Sequence, residues 1–346
     1  PEGFWAEEAR KLDWYKTWDR VLDWKPPYAR WFVGGMLNAS YQCVDRHVQT
    51  WRRSKVAIYW EGETGDTRVL SYSTLFREVN RCASMLKNLG VKKGDAVALY
   101  LSMVPELPIF MLACARIGAV HTVIFSGFSS QSIADRVNDI GAKVIITSDG
   151  AYRRGKILAL KEIVDEAAKL SPIIEKVVVV KRTGEKIPMQ KRRDFYLSDL
   201  LEKTDRLVEA EPMESNHPLY ILYTSGTTGD PKGVVLAHNN LFSNALALTK
   251  VIHIDETDTT LSFLPLSHIL QRMVDLVFFS KGATITYGQS VKTIAEDLKI
   301  SRPTKVVGAP RVFEKFYQAV MDQTGIHGLI VRWAREVGEA WAEETL

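Results

Sequence analysis

The sequence predicts an α/β fold of stacked, doubly wound and mostly parallel sheets with helices on the faces. From residue 55 onward, short apolar runs alternate with amphipathic segments of helical length. The connections between them are short, which favours crossover helices between parallel strands. With 346 residues, 46% of them hydrophobic and 25% charged, the chain can also build a large layered core.

Residues 1–54 form an amino-terminal extension in this prediction. Its tryptophans are scattered irregularly between charged residues, at Trp5, Trp14, Trp18, Trp24, Trp31 and Trp51. Single aromatic residues at irregular spacing are typical of packing anchors, so we expect the extension to clamp onto the body of the protein. An exposed aromatic interaction patch is the competing interpretation. His47 beside Asp45 favours structural hydrogen bonding over catalysis.

Residues 55–211 are predicted to form a first α/β subdomain. We expect strands at 56–60, 96–101, 121–124, 144–147 and 177–180, and helices at 73–89, 105–117 and 130–139. The basic run Gly150-Ala151-Tyr152-Arg153-Arg154-Gly155-Lys156 is predicted to open a further helix through 160–170. Cations and unpaired N–H groups at a helix start can bind an anion, although a solvated basic turn is the simpler interpretation of this run alone.

Residues 212–346 are predicted to form a second α/β subdomain. The polar segment 181–218 is expected to connect the two layers. The periodicity predicts helices at 239–251, 268–279, 291–298, 310–322 and 329–344, and strands at 261–263, 283–287 and 305–307.

The most informative run is Tyr223-Thr224-Ser225-Gly226-Thr227-Thr228-Gly229-Asp230-Pro231-Lys232-Gly233, which lies between two apolar segments predicted to be buried strands. Its glycines allow close approach of the backbone to a ligand, and its hydroxyl and N–H groups can donate to phosphate oxygens. Lys232 adds a charge suited to a polyphosphate. Glycine rather than Ser or Thr follows Lys232, so the spacing differs from the Walker loop. A polar surface hairpin is the competing interpretation.

This run closely resembles the phosphate-binding signature of the adenylate-forming superfamily, which includes acyl-CoA synthetases, peptide-synthetase adenylation domains and luciferases. Segments 31–38 and 43–47 resemble the amino-terminal part of acetyl-CoA synthetases. The run 150–156 is similar to the segment through which those enzymes hold the phosphorylated adenosine end of CoA. The run 125–129 resembles their stretch beside the pantetheine channel, with Ser126 where that family usually has glycine.

The second half of the chain resembles a different branch of the superfamily. Segments 224–238, 264–268 and 308–315 look more like long-chain fatty acyl-CoA synthetases. The resemblances together imply the large amino-terminal domain of an AMP-forming acyl-CoA synthetase, and we expect the chain to be an incomplete amino-terminal part of it. A chimera of acetate-like and long-chain-like halves would explain the mixture without changing the reaction class.

The resemblance implies that ATP activates a carboxylic acid, acetate or a longer fatty acid, to an acyl-adenylate that CoA converts to a thioester. AMP and pyrophosphate are released, and Mg²⁺ is the expected metal cofactor beside ATP and CoA. The implied catalytic residues are Lys232, Thr224 and His268. The implied ligands of the ATP phosphates are Thr224, Ser225, Gly226, Thr227, Thr228, Gly229 and Lys232, with Thr224 also binding Mg²⁺. The implied CoA residues are Arg153, Arg154 and Lys156, and the implied acyl pocket is His268, Gly308, Ala309 and Pro310.

Other functions remain open at this point. An adenylating enzyme that loads a carrier protein would use the same phosphate loop, and so would a non-catalytic nucleotide-binding fragment. The superfamily's aromatic-Gly-x-Thr-Glu motif, its later ribose-binding Asp and its carboxy-terminal catalytic lysine are not found in this sequence. We therefore expect the 346 residues alone to fall short of full turnover.

Composition and charge limit the classes of partner that we expect this protein to bind. A formal net charge of +4, spread along the chain, argues against a dedicated nucleic-acid binder. No apolar run approaches the ~20 residues that span a bilayer, so we expect a cytoplasmic protein without stable membrane insertion. The three cysteines, Cys43, Cys82 and Cys114, are far apart, which favours reduced thiols over disulfides or zinc ligands. The oligomeric state cannot be inferred from these features.

Overall fold

The computed structural model describes residues 2–204, 207–224, 232–288 and 293–322, together with 328, 330, 331 and 333–337. The chain divides into two compact units, residues 1–305 and residues 306–346.

The described helices and strands alternate along most of the chain. The helices are α1 (Glu2–Ala9), α2 (Arg46–Val48), α3 (Tyr72–Asn88), α4 (Glu106–Arg116), α5 (Ser130–Ile140), α6 (Leu160–Leu170), α7 (Leu197–Leu201), α8 (His238–Val251), α9 (Ile269–Lys281), α10 (Ile294–Ser301) and α11 (Pro310–Met321). The strands are β1 (Arg20–Lys25), β2 (Tyr28–Val33), β3 (Met36–Leu37), β4 (Val56–Glu61), β5 (Thr67–Ser71), β6 (Ala96–Leu99), β7 (Val120–Val123), β8 (Val144–Ser148), β9 (Ala151–Arg153), β10 (Lys156–Leu158), β11 (Lys176–Val180), β12 (Asp194–Tyr196), β13 (Met213–Glu214), β14 (Pro218–Thr224), β15 (Lys232–Ala237), β16 (Thr259–Ser262) and β17 (Thr284–Tyr287). Helix α11 belongs to the second unit.

The larger sheet has the strand order β12-β11-β8-β6-β7-β14-β15. Its strands are parallel except for β15, which pairs antiparallel with β14. The chain moves one way along the sheet from β6 through α4 to β7 and the other way from β7 through α5 to β8. Right-handed crossovers then put α4 and α5 on opposite faces. The predicted doubly wound, mostly parallel sheet is confirmed.

The core of this sheet follows from its sequence. Strands β8 and β11 are near-continuous runs of Val and Ile, as expected for strands covered on both faces. Ile145, Val177 and Val179 pack with Ile133 of α5 and Val164 of α6 in one cluster of fully buried side chains. These helices are amphipathic, so burying their apolar faces fixes them on the sheet.

The smaller sheet has the order β16-β17-β4-β5, with only β5 antiparallel. Its register brings Ile58 beside Ile285. Both large sheets therefore contain strands from before and after residue 212. The division into subdomains 55–211 and 212–346 stays a prediction about the chain, and so does the separate extension 1–54.

The amino-terminal segment is fastened to the rest of the first unit by buried polar contacts. Asn38 Nδ2 donates to the carbonyls of Ala115 and Glu211, both at 2.8 Å. Arg116 forms a buried, two-pronged ion pair with Asp45 at 2.7 and 2.8 Å. His47 is also buried, and its Nε2 lies 2.8 Å from the Phe279 carbonyl, as a structural role requires.

Several predicted elements differ from the structure. The predicted strand 305–307 is only a single bridge between Lys305 and Thr260. Strand β15 was predicted to be buried, but Val234 and Val235 are 43% and 55% exposed because β15 is the edge strand of its sheet. Part of the predicted helix 291–298 and most of 329–344 lie outside the described residues.

Candidate functional site

A cleft of about 240 Å³ opens at the carboxyl ends of the parallel strands. It is lined by residues 101–104 after β6, residues 123–126 at the end of β7, and the segment after β8. The connection leaving β6 runs towards β7, whereas the connection leaving the adjacent β8 runs towards β11. The cleft therefore lies at a topological switch point, which is the usual ligand site of open α/β sheets.

The basic run after β8 is a hairpin, and the prediction that it opens a helix is wrong. Strands β9 and β10 pair antiparallel, with Arg153 opposite Lys156. Arg154 and Gly155 form the turn with φ of +56° and +72°, the pair of left-handed residues that a tight type I′ hairpin turn needs. Arginine is unusual at the first of these positions, so the usual hairpin signal of Asn-Gly or Asp-Gly is missing. An anion at this place would meet side chains rather than a helix start.

The hairpin brings two of its three predicted CoA residues into the cleft. Arg153 and Arg154 line it, whereas Lys156 does not belong to the lining. Both arginines are exposed, and the Arg153 guanidinium lies 5.5 Å from the centre of the Phe125 ring on the opposite side. Within the described part of the chain, neither guanidinium forms a salt bridge. Their charge is available to an anionic ligand.

Thr224 and Lys232 close the two ends of the phosphate-loop sequence. They are directly opposite each other in the antiparallel pair of β14 and β15, and both are exposed. Strand β14 runs parallel to β7, so Thr224 emerges at the same sheet edge as the cleft. The other predicted phosphate ligands, Ser225, Gly226, Thr227, Thr228 and Gly229, lie outside the described residues.

His268 is an exposed residue at the start of α9, next to a wall of the cleft. Its backbone N–H donates to Pro265 at 3.0 Å, and its side chain makes no capping hydrogen bond. Pro265 and Ser267 line the cleft, whereas His268 does not. The structure therefore does not give His268 a core or capping role, and its acyl-pocket role stays a prediction.

The other predicted acyl-pocket residues belong to the second unit. Ala309 precedes α11, and Pro310 is its first residue, where a missing N–H costs nothing. Gly308 comes immediately before Ala309, outside the helix. Their pocket role stays a prediction.

Comparison with known families decides the classification of the chain. A sequence model described as AMP-binding enzyme matches residues 44–343, and one described as the acetyl-coenzyme A synthetase N-terminus matches residues 1–43. The chain belongs to the AMP-binding enzyme family. This confirms the superfamily resemblance inferred from residues 223–233.

Similar AMP-binding enzymes include acetyl-coenzyme A synthetases. The protein of that name from Rubrobacter xylanophilus is 56% identical over 235 residues, which cover 68% of this chain and 36% of the relative. The one from Pyrobaculum arsenaticum is 55% identical over 246 residues, which cover 68% of this chain and 37% of the relative. The chain thus spans little more than a third of the length of these relatives.

A solved structure has the same fold. Acetoacetyl-CoA synthetase from Streptomyces lividans superimposes with a TM-score of 0.83, covering 92% of this chain and 50% of that one. The sequence identity is 24%, so this likeness supports the fold of the AMP-binding enzyme and nothing finer.

In this AMP-binding enzyme, a buried network fixes the wall formed by residues 263–267. The backbone N–H of Leu264 donates to Gln271 Oε1 at 3.2 Å, and Gln271 Nε2 donates to Asp275 Oδ1 at 2.8 Å. Tyr287 Oη donates to Asp275 Oδ2, also at 2.8 Å. Burial outweighs these hydrogen bonds and raises the pKa of Asp275 to about 6. Sequence reasoning missed this carboxylate because its partners come from separate elements.

A second missed group lies at the base of the phosphate loop. The Arg136 guanidinium is 5.1 Å from the Tyr223 ring centre and 4.7 Å from the Phe128 ring centre. Tyr223 Oη donates to Asp139, and burial together with that carboxylate raises the pKa of Tyr223. Arg136 therefore contacts both the strand that leads into the loop and the segment beside the cleft. An aromatic residue next to a glycine-rich loop was the available sequence signal.

Two negative findings apply to the described ranges alone. Among them there is no cluster of three or more His, Cys, Asp or Glu side chains that could hold a metal ion. No helix within these ranges is both long and apolar enough to cross a membrane.

Proposed function

We propose that this AMP-binding enzyme is an AMP-forming acyl-CoA synthetase that activates a carboxylic acid with ATP and transfers the acyl group to CoA. One observation carries the proposal. The Thr224–Lys232 pair and the arginine-lined cleft emerge at the same edge of the seven-stranded sheet. A reaction that joins a nucleotide to a second phosphorylated substrate needs two such anion sites close to each other.

Acetate is the first candidate for the acid. The similar proteins from Rubrobacter xylanophilus and Pyrobaculum arsenaticum are named acetyl-coenzyme A synthetases, and the model matched by residues 1–43 carries the same name. Longer fatty acids are the alternative, because segments 264–268 and 308–315 resemble long-chain enzymes. Assays of the full-length protein with acids from acetate to palmitate separate these substrates.

In the first step, a carboxylate oxygen attacks the α-phosphorus of ATP. An oxygen–phosphorus bond forms to the acid, the bond between the α-phosphorus and the bridging oxygen breaks, and pyrophosphate leaves with the electron pair. Both reactants are anions, so positive charge and fixed positions lower the barrier. We assign the β- and γ-phosphates to Lys232, to Thr224 and to the loop residues between them.

Magnesium would add further positive charge to the triphosphate, as it does for nucleotide substrates generally. Mg²⁺ is usually bound by one or two protein side chains, most often carboxylates, together with the substrate phosphates. The exposed hydroxyl of Thr224, at the start of the loop sequence, would serve as one such ligand.

In the second step, the CoA thiol attacks the acyl carbon of the adenylate, and AMP leaves. We assign CoA phosphate groups to Arg153 and Arg154, whose guanidinium groups suit phosphate oxygens and line the cleft. Lys156 is exposed outside the lining and contributes only longer-range attraction.

The experiment is acetate-dependent exchange of labelled pyrophosphate into ATP, measured on the full-length protein with Lys232→Ala. We expect exchange to fall about 100-fold, because a charge that stabilises the departing pyrophosphate is lost. Lys87→Ala, which removes an exposed lysine near the end of α3, is the matched control and should keep wild-type exchange. Undiminished exchange by Lys232→Ala would refute the assignment.

A CoA titration separates this proposal from the carrier-protein alternative. An acyl-CoA synthetase should bind CoA in the arginine-lined cleft, and Arg153→Ala should weaken that binding. Exchange activity without any CoA binding would favour an enzyme that loads a carrier protein. Absence of both would favour a non-catalytic nucleotide-binding protein.

A further inference from the structure

Arg182 lies between two segments that both contribute residues to the lining of the cleft. One is the turn 62–66, which joins β4 to β5 of the four-stranded sheet, and the other is the hairpin of β9 and β10. Arg182 Nη1 donates to Asp66 Oδ2 at 2.8 Å, and Nη2 donates to Oδ1 at 3.0 Å. This two-pronged geometry ties the guanidinium to the turn with a defined orientation.

The same guanidinium contacts two aromatic rings, one from each of these segments. Its central carbon lies 4.9 Å from the ring centre of Trp60 in β4 and 4.9 Å from that of Tyr152 in β9. Cations stack favourably on aromatic faces at this distance, and a planar guanidinium can use both faces at once. Only 14% of the Arg182 side chain is exposed, so solvent screens these contacts weakly.

The backbone that carries Arg182 is also fixed. Asp149, at the end of β8, is buried and accepts hydrogen bonds from the N–H groups of Arg182 at 2.7 Å and Gly184 at 2.8 Å. The same carboxylate accepts from Gly150 N–H at 2.8 Å, at the start of the hairpin segment. Arg182 therefore extends towards the turn 62–66 from a backbone that is held in place.

The turn 62–66 has a glycine where the Arg182 guanidinium approaches it. A Cβ atom on Gly62 would lie 2.4 Å from Arg182 Nη2, so only glycine allows the guanidinium to come this close. A second link joins the same segments, because Gly155 N–H donates to the Glu63 carboxylate. Burial alone would raise the pKa of Asp66, but hydrogen bonds from Thr64 and Arg182 outweigh it and keep Asp66 ionised.

We infer that Arg182 is a positioning residue that holds the hairpin carrying Arg153 and Arg154 at a fixed distance from the turn 62–66. The inference rests on the proposed function, in which those arginines bind the phosphate groups of CoA. Arg182 itself contacts Asp66, Trp60 and Tyr152 and needs no contact with the ligand. Its loss lets the hairpin shift, and displaced phosphate ligands bind more weakly.

Lysine cannot replace this arginine. An ammonium group keeps the positive charge, but it offers neither the two parallel N–H donors nor a planar surface for two rings. A role that depends on charge alone would tolerate Arg182→Lys, whereas the positioning role would not. This difference makes Arg182→Lys the decisive variant.

The test compares CoA and ATP affinities of the wild-type chain, Arg182→Lys and Asp66→Asn by isothermal titration calorimetry. We expect Arg182→Lys to weaken CoA binding on the order of tenfold and to leave ATP binding unchanged. Asp66→Asn, which keeps the side-chain volume and both ring contacts, should weaken CoA binding by about threefold. In the full-length protein, the KM for CoA should rise by the same factors while pyrophosphate exchange stays constant.

These measurements distinguish a failure of the proposed function from a failure of the inference about Arg182. If the full-length wild type binds neither CoA nor ATP, the proposed function falls and this inference falls with it. If wild type and Arg182→Lys bind CoA equally well, only the inference is overturned. Equal losses of CoA and ATP affinity in a variant that unfolds at the wild-type temperature would also overturn it, because a local positioning effect is selective.

Discussion

One wall of the cleft, the hairpin 151–158, is held by partly exposed charges, whereas the wall formed by residues 263–267 is held by a buried carboxylate. Arg182 ties the hairpin to Asp66, whose side chain is 45% exposed. The other wall depends on Gln271 and Asp275, which are almost fully buried. Water and salt reach the Asp66 carboxylate more readily than the buried network around Asp275.

Contacts of similar geometry at the two walls therefore differ in how much stability is lost when they are broken. Breaking the ion pair between Arg182 and Asp66 leaves a carboxylate that is already partly in water, so the loss of stability is small and the effect is on the position of the hairpin. Altering Asp275 changes a carboxylate for which no water can substitute, so the fold itself is affected. We therefore expect mutations of the buried wall to act on stability and mutations of the hairpin to act on ligand affinity.

The largest expected effect is the pH dependence that Asp275 gives to stability. Its pKa of about 6 in the folded protein lies above the ordinary value of 3.8, so the folded chain holds this proton more tightly than the unfolded chain. The resulting stabilisation is complete below the ordinary value and is lost as pH rises through 6. Relative to Asp275→Asn, wild type should lose about 3 kcal/mol of unfolding free energy across the whole window, of which about 2 kcal/mol falls between about pH 4.5 and about pH 7.5.

Urea unfolding of wild type and Asp275→Asn at about pH 4.5 and about pH 7.5 checks this difference. Asp258→Asn is a control with the opposite sign. Lys305 and Thr304 lower the pKa of Asp258 in spite of its burial, so its stabilisation is present at neutral pH and is lost on acidification. A pH-independent difference between wild type and Asp275→Asn would contradict the prediction.

The next effect concerns the hairpin. Arg153→Ala should weaken CoA binding about tenfold, because a charged hydrogen bond to phosphate is worth about 1.5–3 kcal/mol and is partly screened at an exposed site. Its unfolding temperature should stay at the wild-type value. Lys156→Ala, at the paired position outside the cleft lining, should change CoA affinity less than about twofold. Equal effects of the two variants, measured by calorimetry, would show that charge rather than placement governs the site.

The smallest effect comes from the strained turn. Arg154 has a φ of +56°, which asparagine adopts at lower cost. Arg154→Asn should raise the unfolding free energy by about 0.5 kcal/mol and weaken CoA binding several-fold. Arg192→Asn is the matched control, because Arg192 has a φ of +71° and does not line the cleft. Arg192→Asn should raise the unfolding free energy by a similar amount and leave CoA affinity unchanged. A loss of CoA affinity in Arg192→Asn would contradict the assignment of Arg154 to the cleft.

Much of the fold could be predicted because hydrophobic periodicity reports burial directly. The runs at β8 and β11 and the amphipathic pattern of α5 gave a parallel sheet with covered faces. Periodicity does not report the position of a strand within its sheet. The valines of β15 therefore predicted a strand, but they could not show that it lies at the edge. The turn at Arg154 was missed because arginine stands at the first turn position, where asparagine, aspartate or glycine usually marks such turns.

The candidate site likewise contains residues that the sequence predicts and residues that it does not. The run 224–232 could be predicted as a phosphate site because it combines glycines, hydroxyl groups and a cation within a short stretch of sequence. Arg182 and Asp66 are 116 residues apart, and their pairing depends on how two sheets are joined. No local pattern in a single sequence encodes that contact.

The strand order of the four-stranded sheet has a consequence during synthesis. Ile58 pairs with Ile285, so the ribosome must add 285 − 58 = 227 residues before β4 can meet β17. At about 5–20 residues per second, this takes roughly 10–45 seconds. For that time β4 lacks the strand that pairs with it on this side in the folded sheet. Chaperones that shield strand edges should therefore raise the yield of this protein more when translation is slow.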